Sequence, residues 1–306
     1  MANKVEFGLE VPQGGLPWPM CLEFAQAADR LGYHSIWLSD HMWIPGLPDL
    51  DYHEAIAMMG ALAACTQRVR LGTIVLCNSY RNPGLLAKSL VTIDHISNGR
   101  LEFGIGAGWM EEEYRAYGYE FPPAGVRLKQ FEEGLLIIKA LFAERRASFK
   151  GKYYSITDAP LNPKPIQQPH PPIMIGGLGE KVLLRLVAKY ADHYNLMPTY
   201  ENFDRTLGAL KEHCRALGRD FNTLKISEMV FAVLGATEQE AAQAWAQAQS
   251  MGQDLRNAIK GTPKQVIEQF KQRAARGVSL FQLVLLPMPF VSAAELFARE
   301  VMPAFA

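Results

Sequence analysis

The chain has 306 residues, 49% of them hydrophobic, with 31 Lys plus Arg balanced by 31 Asp plus Glu. This is enough for one large core, and a formal charge of zero argues against a nucleic-acid tract or a polybasic membrane patch. The four cysteines (Cys21, Cys65, Cys77, Cys214) form no CxxC pair and the seven histidines form no HExxH, so no metal site is expected. MANKVEFGLE has no apolar signal core and no run is long enough to span a bilayer, so a cytoplasmic protein is expected.

In chain order, a strand over 5–9 leads to a helix over 19–31 that stops at Gly32. A second strand, 35–39, runs into Asp40-His41-Met42-Trp43. His41 can move a proton near neutral pH. The competing reading is a histidine satisfied by a backbone carbonyl, with Trp43 packed under a loop. After a helix over 53–66, a third strand (69–76) enters Cys77-Asn78-Ser79-Tyr80-Arg81-Asn82-Pro83. Nothing nearby in sequence lowers the Cys77 pKa, so it reads as small and buried. Asn82 reads as the cap of a helix over 83–96. The fourth strand, 101–107, begins LEFGIGAGWMEEEY. Gly104, Gly106 and Gly108 alternate there and remove side chains where a ligand, or a tightly packed neighbour, approaches the backbone. No further glycine opens a helix at dinucleotide spacing.

After a helix over 127–142 the rhythm breaks. Residues 147–172 read ASFKGKYYSITDAPLNPKPIQQPHPP. The spacing predicts a hairpin turning at 150–152, then an extended linker with six prolines. Composition does not change across it, so it reads as an insertion in one domain spanning 1–306. The fifth strand, 173–176, ends in Gly176-Gly177-Leu178-Gly179-Glu180 before a helix over 181–190. Three glycines ahead of a helix N-terminus make an anion cradle, suited to a phosphate, or else a plain tight turn. It is not a Walker loop, since no GK[ST] follows. Glu180 would favour the helix dipole but compete with a bound anion. Strands over 193–197, 225–234 and 280–286 then alternate with helices over 202–217, 238–251 and 263–276.

Eight strand–helix alternations predict an α/β fold, a (β/α)₈ TIM barrel with an insertion between strands four and five. A doubly wound open sheet is the other topology they allow. A barrel carries its site at the carboxyl ends of the strands. There the candidates combine into a site for a flat, phosphate-bearing heteroaromatic cofactor.

The sequence resembles the bacterial luciferase-like superfamily, in particular its branch that uses the deazaflavin coenzyme F420. The matching pieces are LGYHSIWLSDH, RVRLGTIVL, RNPGLLAKSLVTIDHISNGRLEFGIGAGW, EEEYRAYGYEF, PHPPIMIGGLGEKVLLRLVAKYADHYN and GTPKQVIEQF, in family order over nearly the whole chain. The resemblance implies a homodimeric barrel acting on a small-molecule substrate, with neither a membrane nor a nucleic-acid partner. It implies that Asp40 and Cys77 line the cofactor ring, that Ala107 and Gly108 touch it, and that Gly176, Gly177, Leu178, Gly179 and Glu180 hold the tail phosphate. It also implies a cis peptide at Ile74–Val75. His41 is the expected catalytic residue. The family's sugar-phosphate dehydrogenases pair that histidine with a glutamate where this chain has Trp109. Glu111, Glu112 or Glu113 could substitute, and Trp109 suits an apolar or planar substrate. The implied activity is hydride transfer with F420. The alternatives are an FMN-dependent monooxygenase fed by a partner reductase, and a non-catalytic flavin or deazaflavin binder.

Overall fold

The structure, a computed structural model, describes residues 4–196, 202–287 and 291–306. The strands are β1 (Glu6–Glu10), β2 (Ser35–Leu38), β3 (Arg70–Thr73), β4 (Leu76–Cys77), β5 (Leu101–Gly106), β6 (Ala147–Lys150), β7 (Ser155–Ala159), β8 (Ile173–Gly176), β9 (His193–Leu196), β10 (Lys225–Leu234), β11 (Ile259–Gly261) and β12 (Leu280–Leu286). The order β1–β2–β3–β5–β8–β9–β10–β12 returns to β1, every pairing is parallel, and β4 continues β3 alongside β5. This is the closed eight-stranded barrel expected from the alternation. The open sheet is excluded by the pairing of β10 with both β9 and β12.

The helices are α1 (Trp18–Leu31), α2 (Ala55–Cys65), α3 (Pro83–Ile96), α4 (Glu111–Ala116), α5 (Ala124–Ala143), α6 (Leu183–Tyr190), α7 (Phe203–Ala216), α8 (Glu238–Ser250), α9 (Pro263–Ala274) and α10 (Val291–Glu300). Their ends follow local chemistry. Gly32 closes α1 at φ +81°. Asn82 caps α3 by accepting from Gly84 N at 2.9 Å. The Gln265 side chain accepts from Thr262 N at 2.8 Å where α9 begins. No helix among the described residues is long and apolar enough to cross a membrane.

Strand parity decides what lies inside the barrel. On β1, Phe7 and Leu9 belong to the large core between strands and helices. Gly8 and Glu10 therefore face inward. A Cβ on Gly8 would lie 2.6 Å from Trp37 Nε1, and one on Gly72 would lie 2.8 Å from the same indole's Cη2. Trp37, fully buried, thus crosses the barrel between two strands that must carry glycine. It packs with Ile74, Met174 and Leu280 in a cluster separate from the outer core. A buried polar layer also lies within, where Asn195 Nδ2 donates to Ser227 Oγ and Gln282 Oε1, each at 3.0 Å.

The third strand and several element bounds depart from the sequence reading. The third strand is not continuous over 69–76, because Ile74 and Val75 interrupt it; the bond between them is cis, as the resemblance implied. The short elements α4 and β11, and the final helix α10, were not anticipated, and α5 starts three residues earlier than expected. The predicted hairpin forms as β6 and β7, and the proline-rich stretch that follows carries cis bonds at Asn162–Pro163 and Gln168–Pro169. Met197, placed at the end of the sixth strand by sequence, lies outside the described residues.

Candidate active site

The carboxyl end of β2 and the start of α4 meet at the barrel mouth. His41 Nδ1 lies 3.0 and 3.1 Å from the two carboxylate oxygens of Glu113. Glu113 also accepts from Met42 N at 2.7 Å and from Tyr80 Oη at 2.7 Å, and its side chain is 1% exposed. Helix geometry selects it from three consecutive glutamates. Glu111 turns outward to pair with Arg115 one turn on, at 2.6 Å, and Glu112 is exposed. Burial alone would raise the Glu113 pKa. The hydrogen bonds and charge of His41, with Tyr80 and the Met42 amide, outweigh it and hold the carboxyl below its ordinary value. The partner of His41 is thus a carboxylate, not the backbone carbonyl that the simpler reading assigned.

Asp40 is buried beside this pair. Arg81 grips it with two bonds, 2.6 Å to Oδ2 and 2.8 Å to Oδ1, and Cys77 N donates to Oδ2 at 2.8 Å. Arg81 also pairs with Glu54, whose carboxylate caps α2 by accepting from Ala57 N at 2.6 Å. The bidentate arginine gives the buried carboxylate an opposite charge and two directed hydrogen bonds. Asp40 consequently ties the end of β2 to β4 and the start of α3.

Cys77 Sγ sits 3.0 Å from Tyr114 Oη, and burial pushes the thiol up to about 11. It is therefore a neutral wall residue at working pH, as its sequence context suggested. Gly108, at φ +78°, lies against the same pair. A Cβ there would fall on the Tyr114 hydroxyl and within 2.7 Å of Cys77 Sγ. Its carbonyl accepts from Arg127 Nε at 3.3 Å, and Ala107, beside it, is half-buried.

The glycines of the fourth strand do not open space for a ring. A Cβ on Gly104 would strike the Thr73 carbonyl, and one on Gly106 would lie 2.9 Å from Val75 Cγ2. Close packing against the interrupted third strand explains both. Gly176 has the same neighbour, with Val75 Cγ1 at 3.0 Å from its Cβ position. Val75 thus touches both the fourth strand and the start of the glycine loop.

That loop leads from β8 to α6. Gly177 has φ +135°, and Tyr194 Oη donates to its carbonyl at 2.8 Å. Among the described residues, no hydrogen bond is donated by the backbone N–H groups of Gly177, Leu178, Gly179, Glu180 or Lys181. They precede α6, whose N-terminus favours negative charge. Leu178 and Gly179 are exposed, while Gly177 is half-buried. The expected competition from Glu180 is relieved, because Arg205 binds its carboxylate at 2.9 Å.

Aromatic side chains border the mouth. Trp109, 66% exposed, meets the His41 ring edge-on with centroids 5.6 Å apart. Trp43 stacks on Tyr117 at 5.9 Å instead of packing under a loop. Pro45, Gly46, Trp109, Met110 and Arg115 line an open cleft of about 620 Å³ beside them.

Sequence reasoning passed over two residues of this constellation. Tyr80 and Arg81 were read only as the approach to a helix cap, because their carboxylate partners are 33 and 41 positions away. The sequence profile described as luciferase-like monooxygenase matches residues 5–257. The chain is 27% identical over 320 positions to the FMNH(2)-dependent dimethylsulfone monooxygenase of Pseudomonas putida, covering 92% of this chain and 86% of that protein. It is 35% identical over 175 residues to the F420-dependent glucose-6-phosphate dehydrogenase of Microbacterium testaceum, covering 56% of this chain and 51% of that one. A solved F420-dependent secondary alcohol dehydrogenase superposes with a TM-score of 0.86 over 99% of both chains at 21% identity, a likeness of fold.

Proposed function

The chain belongs to the luciferase-like monooxygenase family, and from that premise we propose that it moves a hydride between the deazaflavin coenzyme F420 and a small organic substrate. The observation that carries this reading is the His41–Glu113 pair at the barrel mouth. Hydride transfer to or from a carbon bearing oxygen needs a proton handled at that oxygen. Glu113 fixes His41 through Nδ1, and no hydrogen bond engages Nε2 among the described residues. His41 Nε2 is then the atom that exchanges a proton with substrate.

The residues fit the cofactor. The unbonded N–H groups from Gly177 to Lys181 would hold its phosphate, and the buried Ser79 hydroxyl, without a partner, has a donor to offer the ring. When bound, F420 supplies or accepts the hydride at a carbon, which makes two-electron chemistry dominant. Asp40, held by Arg81, and Cys77 would form the wall behind the ring. Trp109, Trp43 and Tyr117 favour an apolar or planar substrate over a sugar phosphate. A homodimer is part of this proposal.

A second reading, an FMN-dependent monooxygenase served by a reductase, is favoured by the long match to the dimethylsulfone enzyme. Anaerobic assay separates the two. The purified protein should oxidise reduced F420 without oxygen when offered a panel of small apolar ketones, aldehydes and enones. Silence across that panel, with oxygen uptake on reduced FMN, would replace the first reading with the second.

A further inference from the structure

The amino end of the barrel, opposite the mouth, encloses a histidine. His193 opens β9 and is 1% exposed, and neither of its ring nitrogens has a hydrogen-bond partner among the described residues. Parity turns it inward with Asn195, whose side chain belongs to the interior polar layer. There its ring meets the Trp37 indole edge-on, with centroids 6.3 Å apart. Its register partners are Met174 on β8 and Lys225 on β10. The carboxylates of this end already have cationic partners. Glu6 on β1 takes Lys225 at 2.6 Å and His34, just ahead of β2, at 3.3 Å. Glu102 on β5 takes Arg70 of β3 at 2.5 Å. Asp192, the preceding residue, is turned outward by parity, and its carboxylate accepts from Ile173 N at 2.9 Å. The Ser35 hydroxyl lies 3.1 Å from His34 Nδ1 and accepts from Trp37 Nε1 at 2.8 Å. Leu280 of β12, packed with Trp37, is apolar, and Lys4 ahead of β1 adds a further positive charge.

We propose that His193 is an acid-sensitive catch in the barrel base: the folded chain holds its ring neutral, and a proton forced onto it drives unfolding. The inference is independent of cofactor and substrate. A protonated ring would set a cation beside the Lys225 ammonium, away from water, while Glu6 and Glu102 are already engaged. An uncompensated buried charge of that kind is strongly destabilising. Burial holds the imidazole well below its ordinary value, and the charges of Lys225 and His34 add to the effect. In the unfolded chain the same ring titrates near its ordinary value of about 6.5. Below that pH the unfolded chain binds a proton that the folded chain refuses at this site. The stability due to His193 is therefore fully present above about pH 6.5 and is lost as pH falls below it.

The test compares urea unfolding of the wild type and of His193→Phe from about pH 7.5 down to about pH 5, a range that spans the ordinary histidine value. Phenylalanine keeps a flat ring against Trp37 and has no proton to take up. Below about pH 6.5 the wild-type unfolding constant should rise more steeply than that of the variant, by about tenfold for each pH unit. Other titrating groups, His34 and Glu228 among them, are present in both proteins and cancel in the comparison. Parallel pH profiles overturn the proposal. If His193→Phe does not fold, nitrogen NMR of the histidine-labelled wild type decides. The His193 ring is identified by its cross-peaks to the Trp37 indole. Its nitrogen shifts should stay those of a neutral imidazole over the same pH range. A ring that protonates there while the protein remains folded overturns the proposal.

Discussion

Replacing His41 with alanine is expected to cut turnover about a hundredfold or more, the range for loss of a positioned acid or base, with F420 affinity almost unchanged. The separation follows from the layout. His41 is bonded to Glu113 alone, whereas the cradle from Gly177 to Lys181 and the wall at Cys77 are built from other strands. Glu113→Ala should match that loss of turnover and add a loss of stability. It frees the ring of His41 and also strands the buried Tyr80 hydroxyl and the Met42 amide, at about 1–3 kcal/mol for each unsatisfied group. Glu113→Gln should fall between, because an amide keeps an acceptor for Met42 but loses the charge facing His41. Steady-state kinetics beside thermal melts separates the three. A His41→Ala variant with wild-type turnover would remove His41 from the chemistry.

Gly108→Ala should be the most damaging single-methyl change at the mouth. The position has φ +78°, which costs a non-glycine residue about 1–2 kcal/mol. The new methyl would also land on Tyr114 Oη beside Cys77, and overpacking of that kind costs about 1–3 kcal/mol. Tyr114 has little room to yield, since it is fully buried against Tyr80, Tyr119 and Phe121. Gly118 provides the control. It has a similar φ of +74°, and nothing lies within 4 Å of its Cβ position. Gly118→Ala should therefore show the backbone cost alone, and the melting midpoint of Gly108→Ala should drop roughly twice as far. Equal drops would show that the Tyr114 contact contributes nothing.

The barrel was legible because its signals are local. Apolar runs such as Leu280–Leu286, punctuated by Pro83, Thr262 and Gly32, fixed strands and helix ends to within a few residues. Short elements escaped because six or fewer residues carry no period, as with α4 and β11. The cis bond at Ile74–Val75 came from resemblance, since nothing in RLGTIVL announces it. Alternating glycines were ambiguous for a physical reason. A missing side chain looks the same whether a ligand or the Thr73 carbonyl takes its place. At the site, His41 and the glycine loop were readable from their places at strand ends. Glu113 could not be chosen over Glu111 and Glu112 until the register of α4 was known. Arg81 was visible only once folding had brought it to Asp40.

Equilibrium fluorescence titration of the purified protein with oxidised F420, and in parallel with FMN, tests the central claim most directly. Micromolar or tighter binding of F420, with FMN at least about tenfold weaker (about 1.4 kcal/mol), is the expected result. A preference for FMN of that size, or binding of neither, would contradict it.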